Sequence, residues 1–371
     1  MALSWLVSLS AAALIGAIAW RGPMPMLGLT VLIPWMIFRE STRPRAAALA
    51  LAYYLAASMP AVAVSQAFAP DSPIRGWLLW IVASVILASP WTALWSADPD
   101  QRLWRCPGAL VLSAIPPIGL IGWASPLTSA GVLFPGTGFL GLLASAFVPT
   151  VWTARPYLLI VAVAVANLIY SPTPPPPNIQ VANTKECTDL FQKEEAARTA
   201  IHFAQVNLVI LPEGAIRRWT EATKEFWSPT IQHLRASHRT ALIGVGLPVV
   251  NSKEFHNSVI AIGDSQAVTF NQRIPIPIGM WKPFGPADGV PLNVTGPGTL
   301  QIGSHRLAIL ICYEQLLVLP IVQSALEKPS LIVGISNAAW TRHTNIPAAQ
   351  QACLSAWSRL FGIPYLSAVN S

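Results

Sequence analysis

The sequence predicts a multispan α-helical membrane domain over residues 1–170, a proline-rich linker at 171–178 and a layered α/β domain over 179–371. Three observations predict it. Charged residues make up only 11% of the 371-residue chain and hydrophobic ones 53%, against roughly 25% charged in an average soluble domain. The shortage of charge is concentrated before Ser171: that part holds eight Arg, no Lys and four acidic residues, and the remainder holds fifteen basic and twelve acidic residues. Between the two parts runs S-P-T-P-P-P-P-N, whose prolines cannot donate backbone hydrogen bonds and favour an extended conformation. A stiff spacer off the membrane is the reading its position favours; a proline-rich recognition segment is the alternative.

Seven apolar runs precede the linker, at residues 3–20, 24–38, 46–68, 77–97, 108–123, 136–152 and 156–170. Each is near the length of about 20 residues that a bilayer demands. The first has the alternative of a signal peptide, but no basic segment precedes it and no small-x-small cleavage site follows it. With the N-terminus inside, inner loops carry Arg39, Arg43, Arg45, Arg102, Arg105 and Arg155, and outer loops carry only Arg21 and Arg75. That asymmetry predicts an N-inside inner-membrane protein, and seven spans put the second domain on the periplasmic side. The formal charge of +7 is spread over both parts without a dense basic run, so no direct nucleic-acid partner is expected.

Beyond the linker, helical spacing alternates with apolar strands. Strands are expected at 179–183 and 207–211, with a capped helix at 188–204 between them, and a second helix at 219–236. Strands follow at 240–247, 258–262 and 266–271, then a Pro/Gly-rich loop at 274–298 and strands near Leu300 and at 307–311. A helix at 316–326, a strand at 331–336, a helix at 346–361 and a strand at 365–369 complete a layered α/β pattern.

Three buried strand ends carry polar groups. L-A-I-L-I-C-Y-E-Q places Cys312 directly after an apolar run, N-L-V-I-L-P-E-G delivers Glu213, and L-I-V-G-I-S-N-A-A-W delivers Ser336 and Asn337. A strand-end thiol is both anchored and reachable, as a nucleophile must be; taken alone, Cys312 also reads as one more buried thiol. The three strands thus aim an acid, a thiol and an amide at what could be one site.

Leu211-Pro212-Glu213-Gly214, Cys312-Tyr313-Glu314 and Ser336-Asn337 with Trp340 resemble the acid, nucleophile and Asn-Trp motifs of the nitrilase (carbon-nitrogen hydrolase) superfamily. With the multispan region, the whole resembles its apolipoprotein N-acyltransferase branch. The wording F-N-Q-R-I-P-I-P-I-G-M-W-K-P-F-G and C-Y-E-Q is similar to conjugal transfer proteins of bacterial plasmids. The resemblance implies an α-β-β-α sandwich with Glu213 as general base and Cys312 as the nucleophile that holds an acyl group as a thioester. It further implies a membrane phospholipid as donor, a lipoprotein or pilin as acceptor, and the conjugal transfer machinery as partner. The superfamily's lysine falls on Gln272, with Arg273 beside it as the candidate oxyanion donor. A further glutamate of the acyltransferases falls on Met280, and their last span has no counterpart before Ser371. Lys282 is a possible stand-in for the lysine and also reads as a solvated loop residue. Glu314, Asn337 and Trp340 are expected to shape the pocket, Glu314 as a structural carboxylate.

No cofactor and no metal are expected, because no histidine pair has the i, i+4 spacing of a zinc helix with a glutamate between. A Cys187–Cys353 disulfide is compatible with the expected compartment. Two functions remain open. One is a membrane enzyme of acyl transfer or amide hydrolysis, favoured by Cys312 and Glu213; the other is an assembly or binding module without turnover, favoured by Gln272 and Met280.

Overall fold

In the computed structural model, residues 2–68, 72–154, 156–187, 189–264, 268–285, 288–341 and 343–371 are described. Arg155, Thr188 and Gln266, which bear on orientation, a helix start and a strand start, lie outside the described residues. Contacts divide the chain into two compact units. The first is Met1–Pro172 with Leu316–Leu319 and His343–Gly362; the second is Thr173–Gln315 with Pro320–Arg342 and Ile363–Ser371.

The helical unit contains α1 (Ala2–Arg21), α2 (Leu32–Arg39), α3 (Arg43–Ser58), α4 (Pro60–Phe68), α5 (Pro73–Leu94), α6 (Pro99–Ala114), α7 (Ala130–Leu133), α8 (Phe139–Ala154) and α9 (Pro156–Ile169). Among the described residues, one helix, Ile74–Leu94, is long and apolar enough to cross a membrane. The pair Arg43–Ser58 and Pro60–Ala67 meets the test only together, across a 51° bend, and Trp5–Arg21, Met24–Arg39, Phe139–Pro149 and Tyr157–Ile169 are shorter apolar helices. The expected run at 108–123 is not one helix. α6 stops at Ala114, ahead of Pro116 and Pro117, which have no N–H to continue it. α1 lies close against α3 because Gly16 has no side chain: a Cβ there would sit 2.5 Å from the Tyr53 carbonyl oxygen. Several buried aromatic donors in this unit find partners, which offsets the cost of burying them in apolar surroundings. Trp20 Nε1 donates to the Tyr53 hydroxyl at 2.9 Å, which donates to the Ala124 carbonyl at 2.8 Å.

The second unit is built on two sheets. The first has the order β1 (Ile179–Val181), β2 (Leu208–Ile210), β3 (Thr240–Pro248), β4 (Phe255–Gly263), β5 (Thr269–Asn271). Its crossovers α10 (Leu190–Phe203) and α11 (Glu221–Ala236) join parallel strands. Asp189 caps α10 by accepting from Phe191 N, and Thr220 caps α11 by accepting from Thr223 N, each satisfying an orphan donor of the first turn. The second sheet has the order β6 (Thr299–Ile302), β7 (His305–Ile311), β8 (Leu331–Asn337), β9 (Tyr365–Asn370). α12 (Val318–Leu326) connects β7 to β8, and α13 (Ile346–Phe361) connects β8 to β9.

Alternation along the strands sorts the apolar residues into layers. Leu208, Ile210, Leu242, Val259 and Phe270 of the first sheet meet Leu307, Ile309, Ile311, Val333 and Ile335 of the second in one core. The opposite face of the first sheet, with Val209, Ala241, Ile243 and Ile260, packs against Ala197, Ile201, Trp227 and Leu234 of α10 and α11. β7 is buried on both faces, with Ala308 and Leu310 as inaccessible as Leu307, Ile309 and Ile311. The sandwich expected from the resemblance is therefore present as helices on a sheet packed on a sheet.

α13 falls in the helical unit. Gly131 of α7 admits it at close range, since a Cβ there would lie 1.8 Å from the Ala356 carbonyl oxygen. Arg359 donates to the Gly131 carbonyl at 3.3 Å and to Asn167 Oδ1 at 2.7 Å, and Gly136 and Gly138 donate their N–H groups to the Arg359 and Leu360 carbonyls at 2.7 Å. Gly362, at φ 66°, ends the helix in the left-handed conformation and donates back to Ser358.

Candidate active site

Cys312 follows β7 at φ 51° and is 4% exposed. A non-glycine residue is uncommon in that region and is held there only when its surroundings over-determine it. The surroundings are visible. Glu314, in the 3₁₀ turn Cys312–Leu316, accepts from Ile311 N through Oε2 at 2.9 Å. Through Oε1 it accepts from Arg273 N at 2.7 Å and Ile274 N at 3.1 Å. Gln315 Nε2 donates to the Leu310 and Ile335 carbonyls at 3.3 and 3.0 Å, tying the ends of β7 and β8 together. Glu314 thus holds the main chain before the nucleophile and at residues 273–274 together.

Glu213 reaches the thiol from the loop after β2. Its side chain is hydrogen-bonded to Cys312; Oε1 accepts from Asn257 Nδ2 at 2.6 Å and Oε2 from Asn337 N at 2.8 Å. Gly214, at φ 67°, turns the chain immediately after it. Burial pushes the Glu213 carboxyl above its ordinary value; the bonds from Asn257, Asn337 and Cys312 pull it back, and the Glu314 charge pushes it up again.

The structure separates the neighbours Gln272 and Arg273. Gln272, 1% exposed, accepts from Asn257 at 2.9 Å and donates to the Ile311 carbonyl at 3.1 Å, beside the thiol. Arg273, fully buried, spends its guanidinium on the Pro320 carbonyl at 3.1 Å, Ser324 Oγ at 3.3 Å and the Ile309 carbonyl at 3.2 Å. Its Nε lies 3.4 Å from Glu314 Oε1. These partners correct the expectation that Arg273 serves as the oxyanion donor, since its terminal nitrogens are committed to α12 and the middle of β7. Lys282 pairs with Asp288 at 2.7 Å in the long loop, and Met280 holds that loop through its main chain, accepting from Val290 N at 2.8 Å. Trp340 packs against the core between the sheets. All four cysteines are thiols, so Cys187 and Cys353 are not joined. Among the described residues no group of three or more His, Cys, Asp or Glu is arranged to hold a metal ion.

Sequence patterning does not single out Asn257, because it starts the strand at Ser258, whereas β4 begins at Phe255. The signal that could have found it is parity: Asn257 shares a face with Val259 and Ala261, both in the core between the sheets. A polar residue on a buried face needs a partner.

With this geometry in view, comparison with known proteins is decisive. A model of the carbon-nitrogen hydrolases matches residues 161–370. The chain belongs to the carbon-nitrogen hydrolase family. A probable conjugal transfer protein TraB of Sinorhizobium fredii is 32% identical over 97% of this chain and 97% of its own length. A conjugal transfer protein TraB of Agrobacterium fabrum is 31% identical over 96% of this chain and 90% of its own. Among solved structures, a carbon-nitrogen hydrolase from Helicobacter pylori matches with a TM-score of 0.40 at 14% identity, covering 51% of this chain and 72% of that one.

Glu213 is expected to link the stability of this unit to pH. Because the folded-state pKa of Glu213 is raised, its contribution to stability is fully present below the ordinary glutamate pKa and is lost as pH rises through the folded value. Glu213→Gln removes that loss. The melting temperature of the variant relative to the parent should therefore rise from acid to neutral pH; a difference independent of pH would show that Glu213 is not perturbed.

Proposed function

We propose that this carbon-nitrogen hydrolase family member is a membrane-bound protein of plasmid conjugal transfer that forms an acyl thioester on Cys312. One observation carries the chemistry: a buried carboxylate hydrogen-bonded to a thiol held at a strained strand end. Cys312 Sγ attacks the carbonyl carbon of an acyl ester or amide as its proton passes to Glu213. The carbon–oxygen or carbon–nitrogen bond to the leaving group then breaks, and Glu213 returns the proton to the departing atom. An amine or water attacks the thioester, the carbon–sulfur bond breaks, and the thiol regains a proton. The Tyr313 amide that follows the nucleophile is the candidate donor to the oxyanion.

The charge-poor helical unit and the helix Ile74–Leu94 support a multispan membrane anchor, and with it a phospholipid acyl donor and a lipoprotein or pilin acceptor. The similarity to TraB proteins over almost the whole chain supports work alongside the conjugal transfer machinery. The arginine distribution supports a periplasmic position for the sandwich, so alkaline phosphatase fused after Asn178 should be active.

Purified protein in phospholipid micelles should acquire a hydroxylamine-sensitive acyl mass on the Cys312 peptide, and Cys312→Ser should abolish it. A second reading, an assembly module without turnover, is favoured by the uncharged Gln272 beside the site. That reading stands if the parent chain never acylates and Cys312→Ala supports plasmid transfer at full frequency.

A further inference from the structure

We propose that Asn257 and Gln272 are positioning residues for the Glu213–Cys312 pair, linked as an uncharged amide relay. It runs from the carbonyl of the residue before the nucleophile to the carboxylate of the base. The inference rests on the reading of Glu213 and Cys312 as the working pair.

The relay is continuous. Gln272 Nε2 donates to the Ile311 carbonyl at 3.1 Å, Asn257 Nδ2 donates to Gln272 Oε1 at 2.9 Å, and the same Nδ2 donates to Glu213 Oε1 at 2.6 Å. A main-chain bond from Gln272 N to the Asn257 carbonyl at 2.8 Å locks the two residues in register. Asn257 is 6% exposed and Gln272 1%, so neither amide is a solvated surface group.

Its direction is also fixed. A main-chain carbonyl and a carboxylate accept only, so the NH₂ ends of Gln272 and Asn257 must face Ile311 and Glu213; flipping either amide puts oxygen against oxygen. Two consequences follow for the chemistry. Glu213 Oε1 is aimed by Asn257 while Oε2 is aimed by the Asn337 N–H, which fixes the carboxylate plane relative to the thiol. The relay also delivers a hydrogen bond without a formal charge. The ionisable groups acting on Glu213 are Cys312 and Glu314, and the guanidinium of Arg273 is held beside Glu314. The bonds that Asn257 and Asn337 bring to the carboxylate thus come from neutral donors.

The test is the pH profile of Cys312 alkylation by iodoacetamide in the purified full-length chain, read by mass spectrometry of the Cys312 peptide. Removing a donor to a carboxylate disfavours its charged form, so Asn257→Ala should move the acid limb of the profile upward by about one pH unit. Gln272→Glu keeps an acceptor for Asn257 but brings a second carboxylate, and should move it upward as well. Gln272→Lys places a cation there and should move it downward. Superimposable profiles from folded variants overturn the proposal. If Asn257→Ala does not fold, the two Gln272 variants decide it, because they must shift in opposite directions. Alkylation needs no acyl donor, so this result stands apart from whether Cys312 is ever acylated.

Discussion

Arg273→Ala is expected to destabilise the sandwich unit, not to slow its chemistry selectively. The guanidinium is fully buried and joins three acceptors on α12 and β7, and its Nε stands beside Glu314. Alanine leaves the Pro320 and Ile309 carbonyls without this donor and takes away the cation beside the buried Glu314. Removing one partner of a buried ion pair costs about 3–5 kcal/mol, a large part of the 5–15 kcal/mol or so by which a domain is stable. A fall in melting temperature of about 10 °C is the expected reading. At low temperature the folded fraction should alkylate at Cys312 at the parent rate. Full stability combined with slow alkylation would return Arg273 to the site.

The second large effect lies in a glycine. A Cβ on Gly244 would stand 2.3 Å from the Pro212 carbonyl oxygen and 2.6 Å from the Glu213 Cα. These are main-chain atoms that no rotamer change can clear, so Gly244→Ala must push the loop after β2 away and take Glu213 with it. Overpacking of this kind costs about 1–3 kcal/mol, and a displacement near 1 Å at a reacting pair costs roughly 100-fold in rate. Thioester formation should fall accordingly. Gly285→Ala, in the long loop, is the control and should be silent. A Gly244→Ala protein that acylates at the parent rate would show that Glu213 need not be held where it is.

Legibility in the sequence follows the kind of signal. β7 is visible because an uninterrupted apolar run between polar residues fits an inner strand buried on both faces, and α13 begins and ends where its helical spacing puts it, at Ile346 and Phe361. Cys312, Glu213 and Asn337 are visible because each ends such a run. Assigning the oxyanion to Arg273 fails for a physical reason: a cation is the better oxyanion donor, but which of two neighbours faces the site depends on strand parity. Phe270 lies in the core between the sheets, and Gln272, two residues on, follows it inward. Parity is unreadable there because β5 is three residues long. Hydropathy alone divides the helical region into seven runs, and it does not register the bend at Met59 and Pro60 or the stop at Pro116 and Pro117.

The place of α13 bears on how the molecule is made. The helical unit is built from residues 1–172 and from two later pieces, 316–319 and 343–362, the second of which carries α13. Until α13 is made, the close approach at Gly131 and the acceptors that meet Arg359 have no occupant, so the helical unit is completed only after most of the second unit has been synthesised. Truncation anywhere before Ile346 deprives both units at once: the helical unit loses the helix, and the second sheet loses β9. Expression of residues 179–371 alone should give a fragment with the buried face of α13 uncovered, poorly behaved in solution however well Glu213 and Cys312 are preserved.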